Sequence, residues 1–442
     1  MIFDIMPKFA ITTLGCKVNQ FESEAIAQYL KASGWTMVRN EGELNVHIIN
    51  TCTVTQKAST QSRQAIRKAI RSHPLARIIV TGCDAQTETE EIQKINGVHA
   101  VIGHGDKHKI PEMILSSPLP ERPPYPVTIC RDIQHEDQFR QIPVPLNGSR
   151  TRPFLKIQDG CDAFCTYCIV PYARGPSRSM PPKSVLENIR QIESAGFHEV
   201  VLSGINLGSY GLDLTPQTNL TDLLKSLENL KLIHRLRLSS IEPRELTDDI
   251  IKLVSESVII CRHFHIPLQS GDDLILKKMH RPYTGAFFSD RVSKIHASIP
   301  EAAIGVDILV GFPGETEAAF ENTYAIIQAL PVTYLHVFPF SARPGTPASR
   351  FSDPLPARVI KERCQILREL GILKKSIFYN RFINKKVEVL IEGKPYGSDH
   401  LLKGMTSNYI PVFLKGEDDI KNTIVDVNID RVNDNNSLFG II

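Results

Sequence analysis

Three stretches rich in Val, Ile and Thr each run into a cysteine within a few residues, and helical sequence follows each one. Residues 9–14 lead to Cys16, residues 45–50 to Cys52 and residues 76–81 to Cys83. The first helix is expected to begin at Asn19, a good capping residue, with Glu22 three positions on. A fourth strand is expected over residues 98–103. Strands that alternate with helices must pair in parallel, which predicts a doubly wound α/β sheet. The carboxyl ends of parallel strands lie along one edge, and ligand sites form there. Topology would therefore deliver Cys16, Cys52 and Cys83 to one place. The plainer reading, a small buried residue at each strand end, suits one such position better than three.

A second set of cysteines is tight: Cys161, Cys165 and Cys168 in the run Gly160-Cys161-Asp162-Ala163-Phe164-Cys165-Thr166-Tyr167-Cys168. A structural zinc site closes with four ligands. Three thiolates on a cubane iron–sulfur cluster leave one iron open for chemistry, so two sets of three suggest two reactive clusters. From about residue 150 to 376 strand and helix patterns alternate again, with six strand candidates. They predict a partial (β/α)6 barrel, short of the eight units of a closed one. The tight set follows the first of these strands, at the end where such barrels carry their chemistry.

The chain has 442 residues, room for two or three domains, with 42% apolar and 22% charged residues. No apolar run reaches bilayer-spanning length, so no membrane partner is expected. The first residues do not read as a secretory signal. Nine cysteines without export point to metal or redox chemistry in a reducing cytoplasm rather than to disulfides. A net charge of +3 permits a nucleic-acid partner without arguing for one. Four segments are expected: a doubly wound domain over 1–115, a Pro-rich linker over 116–149 containing Pro118, Pro120, Pro123, Pro124 and Pro126, the barrel segment over 150–376, and a small antiparallel β domain over 377–442.

The C-x3-C-x2-C spacing with Tyr167 before the last cysteine resembles the signature of radical S-adenosylmethionine (SAM) enzymes. Cys168-Ile169-Val170-Pro171-Tyr172-Ala173-Arg174-Gly175 continues it. Leu14-Gly15-Cys16-Lys17-Val18-Asn19-Gln20, Asn50-Thr51-Cys52 and Thr81-Gly82-Cys83 resemble the three cysteine motifs of the methylthiotransferases, the first in the form of the MtaB subgroup. Gly404-Met405-Thr406-Ser407-Asn408-Tyr409 is similar to the TRAM pattern, so the last domain is expected to be TRAM-like. The resemblance covers nearly the whole chain.

It implies two [4Fe–4S] clusters, a radical-SAM one on Cys161, Cys165 and Cys168 and an auxiliary one on Cys16, Cys52 and Cys83. It also implies SAM, an electron donor of flavodoxin or ferredoxin type, a sulfur source, and tRNA as substrate. The subgroup's reaction is 2-methylthiolation of N6-threonylcarbamoyladenosine beside the anticodon, at position 37. Sister enzymes act on isopentenyladenosine tRNA or on a ribosomal-protein aspartate, and the Lys-Val-Asn-Gln run after Cys16 speaks against both. The rival from another class is a non-catalytic metal-bearing RNA-binding protein.

Further contacts are expected by resemblance. Tyr167, Ser203, Gly204, Asn206 and Gln269 are candidates for SAM, the last four at the ends of barrel strands. Arg174 could meet the SAM carboxylate or substrate phosphate, or be a surface residue. Arg63, Arg67 and Arg71 lie at i, i+4 and i+8 on one helix face, in a stretch without acids, and are RNA-binding candidates. From Ser376 onward eight basic residues face nine acidic ones, net −1, which is lean for a phosphate-binding module. Glu315, at a helix start, could complement the helix dipole. His263 and His265 could share one strand face, which leaves a metal reading open beside a plain polar one. Cys130, Cys261 and Cys364 read as ordinary thiols.

Overall fold

A computed structural model describes residues 6–38, 42–116, 125–146, 150–394, 401–433 and 437–442. Pro118, Pro120, Pro123 and Pro124 of the expected linker lie outside these residues. The chain divides into two compact units. The first comprises Met1–Gly148, Gln158–Met180 and Ser341–Ser349; the second comprises Ser149–Ile157, Pro181–Phe340 and Arg350–Ile442.

The first unit is built on a six-stranded sheet: β1 Lys8–Thr13, β2 Thr36–Met37, β3 Val46–Thr51, β4 Arg77–Gly82, β5 Ala100–Ile102 and β6 Val127–Ile129. Their order is β2-β1-β3-β4-β5-β6 and every pair is parallel. Strand alternation buries both faces. Phe9, Val46, Ile48 and Ile79 pack on one side with Ile26 and Leu30 of helix α1 (Lys17–Ala32). Ile49, Ile78 and Val80 pack on the other with Ile66 and Ala69 of helix α2 (Gln56–Ser72). From β1 the chain crosses over α1 to one side of the sheet; from β3 it crosses over α2 to the other. The strand order therefore reverses between β1 and β3, the place where open α/β sheets bind ligands.

The second unit carries six parallel strands: β7 Phe154–Lys156, β8 Glu199–Ser203, β9 Arg235–Leu238, β10 His263–Gln269, β11 Ala303–Val310 and β12 Tyr334–Pro339. They pair as β9-β8-β7 and β10-β11-β12, and a lone parallel bridge between Leu236 and Ile260 links the two sets. This is the expected partial barrel, open between β7 and β12. The last five strands, β13 Lys386–Gly393, β14 Leu401–Thr406, β15 Pro411–Lys415, β16 Ile424–Val432 and β17 Leu438–Ile441, close a small barrel in the order β13-β14-β15-β17-β16. One pair, β15 with β17, is parallel, so the expected all-antiparallel pairing gives way there. Arg237 ties this barrel to the arc. Its buried guanidinium pairs with Glu199 at 2.6 Å and donates to the carbonyls of Thr406 (3.1 Å) and Ser407 (2.8 Å).

Gly82, the last residue of β4 and the one before Cys83, has φ 99° and ψ −167°, a conformation essentially confined to glycine. A Cβ there would stand 2.4 Å from the Thr51 carbonyl oxygen. Gly82→Ala is expected to destabilise the first unit by about 1–3 kcal/mol or more, read as a fall in the urea midpoint at unchanged slope.

Candidate metal and cofactor site

The scattered cysteines sit at the ends of three adjacent strands. Cys16 occupies the N-cap position of α1 after β1, Cys52 follows β3 directly, and Cys83 opens a short helix after β4. Cys16 is exposed; Cys52 and Cys83 are buried. Burial, with Cys83 and Cys16 as neighbours, pushes the Cys52 thiol up to about 12. The Cys83 thiol is raised by burial too, with Arg174 opposing the shift. Gly15, at φ 98°, lets the first loop approach the second: a Cβ on it would lie 2.9 Å from the Cys52 sulfur.

Asn19 ties these loops together. It is an inner residue of α1, not its cap, because the helix begins two residues earlier at Lys17. Its amide donates to the carbonyls of Leu14 (2.8 Å) and Thr51 (3.0 Å), bridging the loops after β1 and β3. Asn50 returns a bond to the Asn19 carbonyl at 3.0 Å. Thr51 Oγ1 donates to Thr81 at 2.6 Å and accepts from the Ala85 amide, fixing the loop after β4 to the one after β3.

The tight set lies in the same unit. Gln158–Asp159 pairs with Arg178–Ser179 in a two-stranded ribbon, and the loop from Cys161 to Cys168 hangs between them. A backbone bond from Cys161 to Gly175 (3.0 Å) closes the base of this loop, and one from Cys168 to Cys165 (2.9 Å) turns its tip. Cys165 is buried and the other two are half-buried. Tyr167 is half-buried in the same loop.

Arg174 ends the short helix Val170–Arg174 after this loop. The expectation of a SAM or surface role gives way to an internal one. Its guanidinium is 1% exposed and bonds Asp159 at 2.7 Å and the Asn19 side-chain oxygen at 2.6 Å. Glu22, also buried, lies 3.5 Å from it and pairs with Lys107. His104, 3.2 Å from Asp159, is held near 4 by burial and by the Arg174 and Lys107 charges, so it is neutral at pH 7. Two acids and two bases thus balance around a neutral imidazole. Glu22, expected in a capping box, belongs to this cluster instead.

Sequence patterns did not single out Arg343. It is 2% exposed and donates to Thr53 Oγ1 and Gln56 Oε1, both at 2.6 Å, bracing the loop after Cys52. Its signal is the Arg343-Pro344-Gly345-Thr346 turn beyond the last arc strand.

In the second unit the carboxyl ends of the parallel strands carry the other expected contacts. Ser203 closes β8, Gly204 and Asn206 follow it, and Gln269 closes β10 at φ 65°. Asn206 donates to Glu245 at 2.8 Å. Burial raises Glu245 to about 7. Glu315 does not act through the helix dipole alone: it pairs with Arg363 at 2.6 Å and accepts from the Gly311 amide. The arginine row on α2 is only partly free. Arg63 lies 3.8 Å from Asp84 and 3.6 Å from Glu88, acids that the sequence places outside the helix, while Arg67 and Arg71 are exposed.

Both cysteine sets fit a group held by three thiolates. No cysteine is in a disulfide, and the raised Cys52 and Cys83 thiols need a cation to release their protons. The buried charges beside them are balanced, so the site does not oppose an anionic thiolate cluster.

Comparison with known proteins agrees with this layout. Residues 8–103 match an uncharacterized family designated UPF0004, and residues 155–327 match the radical SAM superfamily. The chain is 41% identical to a threonylcarbamoyladenosine tRNA methylthiotransferase MtaB of Bacillus subtilis, over 96% of this chain and 94% of that one. It is 37% identical to the protein of that name from Aquifex aeolicus, over 92% and 97%. A tRNA-2-methylthio-N(6)-dimethylallyladenosine synthase of Clostridium botulinum is 34% identical, over 97% and 96%. Among solved structures, the radical S-adenosylmethionine methyltransferase TsrM of Kitasatospora setae shares the fold, with TM-score 0.56 and 15% identity over 78% of this chain and 77% of that one.

Removing Arg174 leaves Asp159 buried without its cationic partner and takes from Glu22 one of its two neighbouring cations. Arg174→Ala is expected to cost about 3–5 kcal/mol in urea denaturation and to lower the iron retained after anaerobic reconstitution. Glu245 gives a pH signature. Its carboxyl is raised from 4.5 to about 7 in the fold, so its stabilisation is full below pH 4.5 and is lost as pH rises through 7. Glu245→Gln should flatten that decline in a melting-temperature profile from pH 4.5 to 8.

Proposed function

The chain belongs to the radical SAM tRNA methylthiotransferase family, and we propose that it replaces the C2 hydrogen of N6-threonylcarbamoyladenosine at position 37 of tRNA with a methylthio group. The observation that carries this reading is the pair of three-cysteine sets within one compact unit. Such a pair suits a reaction that needs both a radical and a sulfur atom. Relatives that share nearly the whole chain bear the name of this activity.

Cys161, Cys165 and Cys168 would hold one [4Fe–4S] cluster and Cys16, Cys52 and Cys83 a second. When bound, the first supplies the electron that cleaves SAM and the second supplies or carries sulfur. The protein's own part is positional. Asn19 and Thr51 keep the three strand-end loops in register, and Arg174 fixes the helix behind the tight loop to the same strand ends. Gly204, Asn206 and Gln269 are the SAM candidates at the strand ends of the second unit, where the buried Ser203 hydroxyl is instead turned to the Leu155 carbonyl. Tyr167, in the cysteine loop of the first unit, is a further candidate. Exposed Arg67 and Arg71 offer phosphate contacts for tRNA. A flavodoxin- or ferredoxin-like donor and a separate sulfur source complete the requirements.

Mass spectrometry of tRNA nucleosides from cells with and without the gene tests the substrate. The methylthiolated threonylcarbamoyl nucleoside should vanish with the gene. Loss of a methylthiolated isopentenyl nucleoside in its place would move the activity to the sister substrate. Anaerobically reconstituted protein should hold about eight irons per chain, two four-iron clusters. Changing Cys161, Cys165 or Cys168 to Ala should abolish 5′-deoxyadenosine formation. Changing Cys16, Cys52 or Cys83 to Ala should spare some of it and abolish thiolated product. Thiolation at the wild-type rate in the second set would overturn the auxiliary-cluster assignment.

A further inference from the structure

We propose that His265, Asp307 and His336 form a third metal site, a mononuclear centre for a zinc-type divalent cation, separate from both cysteine sets. The three residues lie on adjacent parallel strands, β10, β11 and β12, and the register sets Asp307 directly beside His336. His265 pairs not with His263, its neighbour on the same face, but across the sheet. His263 instead bonds the Tyr334 hydroxyl at 2.8 Å.

Three potential ligand atoms converge on one point. His265 Nε2 is 3.1 Å from Asp307 Oδ1, His336 Nδ1 is 3.1 Å from the same oxygen, and the two nitrogens are 3.3 Å apart. Hydrogen bonds alone do not satisfy this triangle. If both rings donate to Asp307, their N–H groups also face each other at 3.3 Å. If one ring donates to the other, one contact with the carboxylate loses its proton. A cation at the centre turns all three contacts into bonds. Zinc binds histidine nitrogen and carboxylate oxygen at about 2.0–2.1 Å, so the edge of its tetrahedron is about 3.3 Å, close to all three distances.

The surroundings agree. Ser240 Oγ lies 2.6 Å from His265 Nδ1. It can accept the proton there and leave Nε2 as the ligand, the outer arrangement typical of metal-bound histidine. His265 is mostly buried, with a side chain 12% exposed, whereas His336 is 51% exposed. The solvent side therefore leaves a fourth position for water or another oxygen ligand. Two histidines and one carboxylate also suit ferrous iron or cobalt, which compete for the same site.

The test counts zinc on the full-length protein with both cysteine sets already loaded with iron and sulfide. After dialysis against Zn²⁺, elemental analysis should find one zinc per chain in addition to the iron. His336→Ala, His265→Ala and Asp307→Asn should lose it while keeping their iron content and circular dichroism. Ser240→Ala should weaken zinc binding roughly 10–100-fold, the usual loss for an outer partner. Changing Cys16 or Cys161 to Ala should leave the zinc in place. The proposal fails if the wild type takes up no stoichiometric zinc, or if zinc follows the cysteines rather than the histidines. Should Asp307→Asn not fold, His336→Ala decides, because its half-exposed ring can be removed with little disturbance to the core. Zinc is counted without any turnover, so this result stands apart from the nucleoside assay.

Discussion

A guanidinium with 1% exposure keeps its charge only where the fold supplies partners, and the partners of Arg174 come from two separate stretches of chain. Asp159 precedes the tight cysteine loop, Asn19 follows Cys16, and Glu22 lies one helical turn further on. Leaving any of these charges alone in the interior would cost several kcal/mol. The loop that carries Cys161, Cys165 and Cys168 is thereby obliged to fold against the strand ends that carry the other three cysteines. Lys107 and neutral His104 complete the balance, so that thiolates can gather nearby without facing uncompensated acids.

The sheet supplies the other half of the arrangement. Both of its faces are buried under helices, which is the condition for an all-parallel sheet, and the reversal of strand order between β1 and β3 opens a crevice at their carboxyl ends. Cys16 and Cys52 flank that crevice and Cys83 stands one strand away. Gly15 and Gly82 are the two positions where a side chain would collide with this convergence. In the second unit the same parallel logic places Ser203, Asn206 and Gln269 on one edge, while Arg237 locks the small barrel to the arc through Glu199 and two barrel carbonyls.

Much of this was legible in the chain. Apolar, β-branched strands that run into cysteines and alternate with helices implied the parallel sheet, and the sheet in turn implied that the cysteines meet. The tight triplet and the six arc strands could be read in order. What escaped were the side chains whose role depends on partners far away in sequence. Asn19 and Glu22 look like capping residues because local pattern reports only neighbours within a turn. Arg63 looks free because Asp84 and Glu88 reach it from beyond its own helix. Arg174 looks like a surface or ligand-binding arginine until its three partners are assembled around it. Glu245 and the pairing of His265 with Asp307 and His336 depend on contacts between separate strands or loops, and the turn at Arg343 does not reveal which loop that arginine braces.

The sequence by itself determined the element types and the strand ends that bear cysteine, because these follow from patterning and residue type over short windows. Only the tertiary structure decided which charges are buried together, which arginines are spent on internal pairs, and which histidine faces which acid. The physical reason is that ion pairing and metal coordination are set by distances of about 2–4 Å between side chains. Strand register and crossover, not position along the chain, bring those side chains within reach.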